Sequence, residues 1–211
     1  MKTPSDVTVV GLGYVGLPLA LAFAAEFRTT GFETDESRVE QLRTGNDRNR
    51  EVDASLITAS GVTLTSDESC LAESDFIVVT VPTTVTDEYS PDLSLLESAS
   101  AMIGRCLRSR SVNSEVPVIV FESTTYPGCT EEFCGPIIER NSGLVSGKGF
   151  VLGYSPERTN FGDTEHTLET VVKVVSGQTS DGSNVVGMCI RESPKLAFTL
   201  HRISRLQRLL R

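Results

Sequence analysis

Ten residues near the start, Val7-Thr-Val-Val-Gly-Leu-Gly-Tyr-Val-Gly16, constrain the fold more than any other stretch. A β-branched run feeds into Gly-x-Gly-x-x-Gly and then into an Ala/Leu-rich segment, which reads as a strand, a tight turn and a helix start. Gly11 allows the sharp turn, Gly13 lets the backbone approach a pyrophosphate, and Gly16 lets the helix pack closely on the strand. The free N–H groups at that helix end then face the anion. By spacing alone the run also fits a plain glycine-rich turn, so its context matters. Thr30-Gly-Phe-Glu33 reads as the end of a second strand, and Glu33 stands 22 positions after Gly11. That is near the roughly 20 expected of an acid that grips a ribose 2′-OH. A carboxylate there repels a 2′-phosphate, which favours NAD over NADP; taken alone, Glu33 also fits a solvated charge at a strand end.

The bulk numbers narrow the classes. A length of 211 residues with 39% hydrophobic content suits one large domain, or one ordinary domain with part of a second, around a real core. The net charge of −9 argues against a nucleic-acid or anionic-membrane binder, since both need a basic surface. Only Met1-Lys-Thr-Pro-Ser-Asp precedes the first strand, and no apolar run approaches the ~18 residues of a membrane span. Neither a signal peptide nor a transmembrane segment is expected, and the expected location is the cytoplasm. Five cysteines, Cys70, Cys106, Cys129, Cys134 and Cys189, form no Cys-x-x-Cys pair and accompany only two histidines. They fit neither a disulfide framework nor a zinc site and are expected to be reduced, mostly buried thiols with no metal.

Further along, helices are expected over about 17–27, 36–44 with Asp35 as N-cap, 66–72, 93–108 and 129–140. Strands are expected over 62–65, 75–81, 116–121, 149–153 and 171–175. The stretch 75–81 is nearly continuous in β-branched residues, as suits a parallel strand buried on both faces, and Pro82 stops it. In helix 93–108, Leu95, Leu96, Ala99, Met102 and Ile103 carry the apolar spacing. Strands alternating with helices in this way imply an α/β fold of Rossmann type: a doubly wound, mostly parallel sheet with helices on both faces. In such a sheet a ligand lies outside the carboxyl ends of the strands. Three stretches fall there: Pro82-Thr-Thr-Val-Thr-Asp, Glu122-Ser-Thr-Thr-Tyr-Pro-Gly128, and Tyr154-Ser-Pro-Glu-Arg-Thr-Asn-Phe-Gly-Asp163. Each holds hydroxyls or charges in a turn fixed by Pro or Gly, although any loop is rich in such residues.

Several motifs then fall in register. They are Val9-Val-Gly-Leu-Gly-Tyr-Val-Gly-Leu-Pro-Leu19, Thr80-Val-Pro-Thr83, Pro91-Asp-Leu93, Glu122-Ser-Thr124, Tyr126-Pro-Gly-Cys-Thr-Glu-Glu132, Gly153-Tyr-Ser-Pro-Glu-Arg158, His166-Thr-Leu168 and Val172-Lys-Val-Val-Ser-Gly177. Together, over about 7–187, they resemble the UDP-glucose/GDP-mannose dehydrogenase family, and within it the branch that oxidises UDP-N-acetylhexosamines to uronic acids. The resemblance implies two successive NAD-dependent oxidations at the sugar's C6, alcohol to aldehyde to acid, through a thiohemiacetal on a cysteine. It implies that Gly11, Gly13, Tyr14, Val15, Gly16, Glu33, Arg38, Pro82, Thr83 and Thr124 hold NAD, with Thr124 also positioning a water or the nicotinamide. It gives Glu157 the water or acid–base steps and Arg158 the charges of the nucleotide-sugar substrate. Cys129 and Cys134 do not stand where the family keeps its nucleophile and read as packing residues. The chain departs from the pattern in Glu33, usually Asp; Thr84, usually Pro; and Phe161, where Asn-Pro-Gly is common. The resemblance also implies a homo-oligomer built mainly through the helix that joins the family's two domains.

After Gly187 the chain changes character. Residues 1–187 carry 13 basic and 27 acidic side chains, whereas 188–211 carry 6 basic and 1 acidic. Arg202, Arg205, Arg208 and Arg211 alternate with Ile203, Leu206, Leu209 and Leu210, a pattern that fits a basic amphipathic helix able to touch a partner. That alternative makes the chain a non-catalytic dinucleotide-binding or interaction module. The family instead continues with a segment like Lys-Ala-Gly-Ile-His-Thr-Ala-Ser-Asn-Ile-Lys-Val-Ala-Glu-Ala-Ala-Lys. Codons for that segment, read one nucleotide late, can yield all of residues 195–211. The expectation is therefore an NAD-binding domain over 1–187 and an out-of-frame tail over 188–211, with the family's central helix, second domain and catalytic cysteine absent.

Overall fold

The structure is a computed structural model and describes residues 3–85, 88–111, 114–156, 173–192 and 198–202. Its elements run β1 Asp6–Val10, α1 Gly16–Ala24, β2 Arg28–Phe32, α2 Glu36–Arg43, α3 Ala54–Ala59, β3 Thr63–Thr65 and β4 Phe76–Val79. There follow β5 Thr84–Val85, β6 Pro91–Asp92, α4 Ser94–Arg108, β7 Val118–Phe121, α5 Gly135–Ser142, β8 Val151–Tyr154, β9 Lys173–Gly177, α6 Ser180–Glu192 and β10 Phe198–Arg202. Eight strands form one sheet in the order β10-β9-β8-β7-β4-β1-β2-β3. Its pairs are parallel except β8 with β9. This is the expected doubly wound, Rossmann-type α/β architecture.

The period of two along each strand divides the core. Val7, Val9, Phe76, Val78, Val118 and Val120 face one layer, against α1, α2, α3 and α6. Val10, Ile77, Val79, Ile119 and Phe121 face the other, against α4 and α5. Both sides of the central strands are thus covered, which is why they read as unbroken apolar runs. In register, Val9 pairs with Gly31 on one side and Val78 on the other, and Val78 pairs in turn with Val120. Chain order reverses between β1 and β4, so their carboxyl ends diverge and leave a crevice.

Local chemistry sets the boundaries. Asp35 is the N-cap of α2 as expected, its carboxylate accepting from the Ser37 and Arg38 N–H groups. The Ser37 hydroxyl and the Arg48 guanidinium bond the same carboxylate and hold it down to about 2. The first helix stops at Ala24, three residues short of the expected end, because Phe27 closes a turn on Phe23 and the chain must enter β2 at Arg28. The helix expected over 129–140 is a π-helical turn, Cys129–Cys134, followed by α5. Pro136 lacks the N–H that a regular ladder would use there, and the preceding turn widens. Segment 66–72 tightens to a 3₁₀ turn, Glu68–Ala72, and Leu95 faces outward while Leu96, Ala99 and Ile103 go into the core. The sequence reading did not foresee α3, the β5–β6 ribbon, α6, β10 or the antiparallel setting of β9.

Helix α6 crosses Gly187 without a break, and β10 pairs with β9. Phe198–Arg202 is a strand; the amphipathic pattern of the tail falls almost wholly on 203–211, which lie outside the described residues. Cys106, Cys129, Cys134 and Cys189 are buried, Cys70 is partly so, and none of the five forms a disulfide. Among the described residues there is no cluster of metal-ligand type and no helix long and apolar enough to cross a membrane.

Candidate functional site

The crevice between β1 and β4 opens into a cleft of about 510 Å³. Gly13, Tyr14 and Val15 line one side, Thr80, Val81, Pro82 and Thr83 follow from β4, and Glu122, Ser123 and Thr124 follow from β7. Asn49 completes the lining. Three backbone stretches that the sequence separates widely thus meet at the carboxyl ends of adjacent strands, as the fold dictates.

The glycine turn is built by close approach. Gly11 adopts φ +93°, and its N–H bonds the Phe32 carbonyl at 2.8 Å. A Cβ on Gly16 would lie 1.8 Å from the Gly11 oxygen and 2.4 Å from Thr80 Oγ1. That hydroxyl is fixed there, donating to the Gly11 carbonyl at 2.7 Å. A Cβ on Gly13, by contrast, would meet no protein atom within 4 Å. The turn therefore presents open space on the side that faces the cleft. The N-terminus of α1 has no side-chain cap and no acidic residue in its first turn, which leaves its positive end for an external anion. These are the features a pyrophosphate requires, so the residues present fit a dinucleotide.

Leu12, inside the turn, is gripped at both backbone polar groups. Its N–H donates to Glu33 Oε2 at 2.9 Å. Its carbonyl accepts from Arg38 Nε at 3.2 Å and Nη2 at 3.0 Å. Glu33 stands at the end of β2 with its second oxygen accepting from the Asp35 N–H at 3.2 Å. Arg38 sits beneath the turn, 1% exposed, and is not part of the cleft lining. Its Nη2 donates to Asp47 Oδ1 at 2.6 Å, and both side chains of this ion pair are buried. Burial opposes the Asp47 charge, but Arg38 and three backbone N–H groups outweigh it and hold the carboxyl below its ordinary range.

The other side of the cleft is tied by hydroxyls. Thr83 Oγ1 donates to the Thr124 carbonyl at 2.7 Å, and Ser123 Oγ donates to the Val81 carbonyl at 2.5 Å. Glu122 is buried at the end of β7, a carboxylate on the cleft lining. Cys129 and Cys134 are core residues behind this loop. The hydrogen bond from Cys129 and burial push the Cys134 thiol far above its usual value, the opposite of what a nucleophile needs. Among the described residues no cysteine lines the cleft.

The structure thus brings Gly13, Tyr14, Val15, Pro82, Thr83 and Thr124 onto one surface and sets Gly11 and Gly16 in its frame. Glu33 and Arg38 stand behind the turn that they hold. Glu157, Arg158 and Phe161 lie outside the described residues. Sequence reasoning missed Asn49 and Asp47. The available signal was the run Asn46-Asp-Arg-Asn49, whose aspartate is the type that collects backbone N–H groups in a turn.

A family model described as "UDP-glucose/GDP-mannose dehydrogenase family, NAD binding domain" matches residues 5–191. The chain belongs to this family. Its cofactor is therefore NAD, in agreement with the glycine turn and Glu33. Protein CapL of Staphylococcus aureus is 44% identical over 181 residues, covering 86% of this chain and 41% of that protein. UDP-N-acetyl-D-glucosamine 6-dehydrogenase of Pseudomonas aeruginosa is 42% identical over 187 residues, covering 88% and 43%. The chain thus spans less than half the length of these relatives. Among solved structures, the NDP-N-acetyl-D-galactosaminuronic acid dehydrogenase of Methanosarcina mazei Go1 superposes with a TM-score of 0.85 at 25% identity, over 99% of this chain and 46% of that one. The GDP-mannose dehydrogenase of Pseudomonas aeruginosa does so with 0.82 at 20% identity, over 97% and 48%, and bears on the fold alone.

Proposed function

We propose that this chain is the cofactor half of a nucleotide-sugar 6-dehydrogenase whose substrate is a UDP-N-acetylhexosamine, and that by itself it binds NAD without turnover. The observation that carries this is the cleft at the β1/β4 reversal, open at Gly13 and bounded by Thr83 and Thr124. The relative at 42% identity, named for UDP-N-acetyl-D-glucosamine, supports the substrate class. When bound, NAD supplies the hydride acceptor for both oxidations, two NAD being reduced as the alcohol becomes an acid, with water giving the second oxygen.

In this reading the α1 N-terminus and the turn hold the pyrophosphate, and Glu33 takes the adenosine ribose hydroxyls. Thr83 fixes the Thr124 backbone, so that Thr124 orders a water or the carboxamide edge of the nicotinamide. Glu157 serves the proton transfers and Arg158 meets the substrate's phosphates. Both roles are carried by resemblance alone. The protein works in the cytoplasm, and the complete enzyme is a homo-oligomer. We further propose that residues after Gly187 translate a frame shifted by one nucleotide, a reading supported by the abrupt change of charge and by the codon degeneracy of 195–211. Sequencing the gene across codon 187 tests it; absence of any one-nucleotide shift that restores the family's helix overturns it.

The functional test is calorimetric titration of the purified 211-residue chain with NAD, beside an assay of NADH formation from UDP-N-acetylglucosamine. Saturable binding without NADH is expected. No binding overturns the reading, and robust turnover overturns the claim that the chain is only half an enzyme.

A further inference from the structure

Segment 46–52 has no regular secondary structure and consists of polar and charged residues except Val52, yet side-chain hydrogen bonds tie it down at several points. Asp47 Oδ1 accepts from the Asn49 N–H at 3.1 Å, and Oδ2 accepts from the Glu51 and Val52 N–H groups at 2.8 and 3.2 Å. The same carboxylate is bonded by Arg38, which also holds the Leu12 carbonyl. Arg48 reaches back to the α2 cap, its Nη1 donating to Asp35 Oδ2 at 2.9 Å. Arg50 occupies the left-handed region at φ +58°, which turns the chain sharply after Asn49.

Burying an ion pair costs desolvation that its own attraction barely recovers. Such a pair therefore contributes mainly by fixing what is attached to it. Here one end is the glycine turn and the other is a loop whose only residue on the cleft lining is Asn49. The loop is anchored at Leu12 and Asp35, the same end of the cleft as Glu33. That end belongs to the β1-α1-β2 half of a dinucleotide fold, which takes the adenosine mononucleotide.

We propose that residues 46–52 form a third wall of the cofactor site, in which Asn49 contacts the adenosine-side phosphate and ribose and Asp47 and Arg38 are positioning residues that set this wall against the glycine turn. A carboxamide suits the place, because it donates to a phosphate oxygen and accepts from a ribose hydroxyl without adding charge beside Glu33. The wall is already folded around Asp47, so no ordering cost falls due on binding. This inference rests on the dinucleotide reading above and adds to it a contact residue and its support.

The test is a double-mutant cycle in the full chain, with NAD and ADP-ribose as titrants. Asn49→Ala is expected to weaken both by about the same factor, roughly tenfold, with an unchanged melting temperature. Asp47→Asn is expected to weaken them too, and Asp47→Asn/Asn49→Ala to bind no more weakly than Asn49→Ala alone, since Asp47 acts on affinity through Asn49. A merely structural Asp47 would give losses that multiply. If Asp47→Asn does not fold, Asn49→Ala decides by itself. Wild-type affinity in Asn49→Ala, or a loss confined to NAD and absent for ADP-ribose, overturns the wall while leaving the functional reading intact. Failure of the wild-type chain to bind NAD overturns both.

Discussion

The two sides of the cleft are built by different chemistry. On the glycine side, Leu12 is held at its N–H by Glu33 and at its carbonyl by Arg38, and the buried Arg38–Asp47 pair carries the constraint to segment 46–52. On the threonine side, strand ends are joined by neutral hydroxyl-to-carbonyl bonds, Thr83 to Thr124 and Ser123 to Val81. A charged, buried anchorage loses several kcal/mol when one partner is removed, whereas a neutral hydroxyl bond contributes about 0.5–1.5 kcal/mol. The difference fits the work assigned to each side. Under the proposed function the rigid side would cradle the pyrophosphate, whose shape does not change, and the more lightly tied side would lie toward the nicotinamide.

The buried Arg38–Asp47 pair is the strongest point of the glycine side. Asp47→Ala leaves the Arg38 guanidinium buried without its counter-charge and is expected to cost about 3–5 kcal/mol in urea unfolding; a loss below about 1 kcal/mol would put the two sides on a par. Gly16→Ala comes next. Its Cβ would have to displace the Gly11 carbonyl and the Thr80 hydroxyl, with an expected cost of about 1–3 kcal/mol and loss of NAD binding in calorimetry. Thr83→Val removes the tie to Thr124 and is expected to cost about 0.5–1.5 kcal/mol while NAD affinity changes only a few-fold. An effect as large as that of Asp47→Ala would show that the threonine side is anchored just as firmly.

The smallest effect is on pH dependence. Asp47 and Asp35 have carboxyls held below their unfolded values, the latter at about 2. A depressed carboxyl contributes stability that is complete above its unfolded value near 4 and is lost as pH falls through its folded value. The melting temperature, followed by circular dichroism, should therefore stay level from pH 7 to 5 and drop between about 4 and 2. Asp47→Asn should flatten that drop; an unchanged acid limb would remove Asp47 from the account.

The sequence made one side of the cleft far easier to read than the other. The turn from Val7 to Gly16, the Asp35 cap and the place of Glu33 all follow from short-range rules: strand period, glycine spacing, capping chemistry. Segment 46–52 does not, because its order comes from a buried pair with Arg38, nine positions before Asp47 and on the preceding helix, a spacing no short-range rule marks. The ribbon Thr84–Val85 with Pro91–Asp92 is too short to leave a period. The π-helical turn at Cys129–Cys134 looks helical by composition, and only the position of Pro136 marks its widening. Arg38 is the instructive case. Resemblance assigned it to the cofactor, and the structure shows it buried beneath the glycine turn, bonded to the Leu12 carbonyl and Asp47.

We propose that in this NAD-binding fold the Glu33 carboxylate excludes a 2′-phosphate. Parallel calorimetric titrations of the wild-type chain with NAD and NADP test it most directly. One saturable site for NAD is expected, with binding at least roughly tenfold weaker for NADP, the penalty of setting a phosphate against a carboxylate. Equal affinities, or no heat with either dinucleotide, would contradict it.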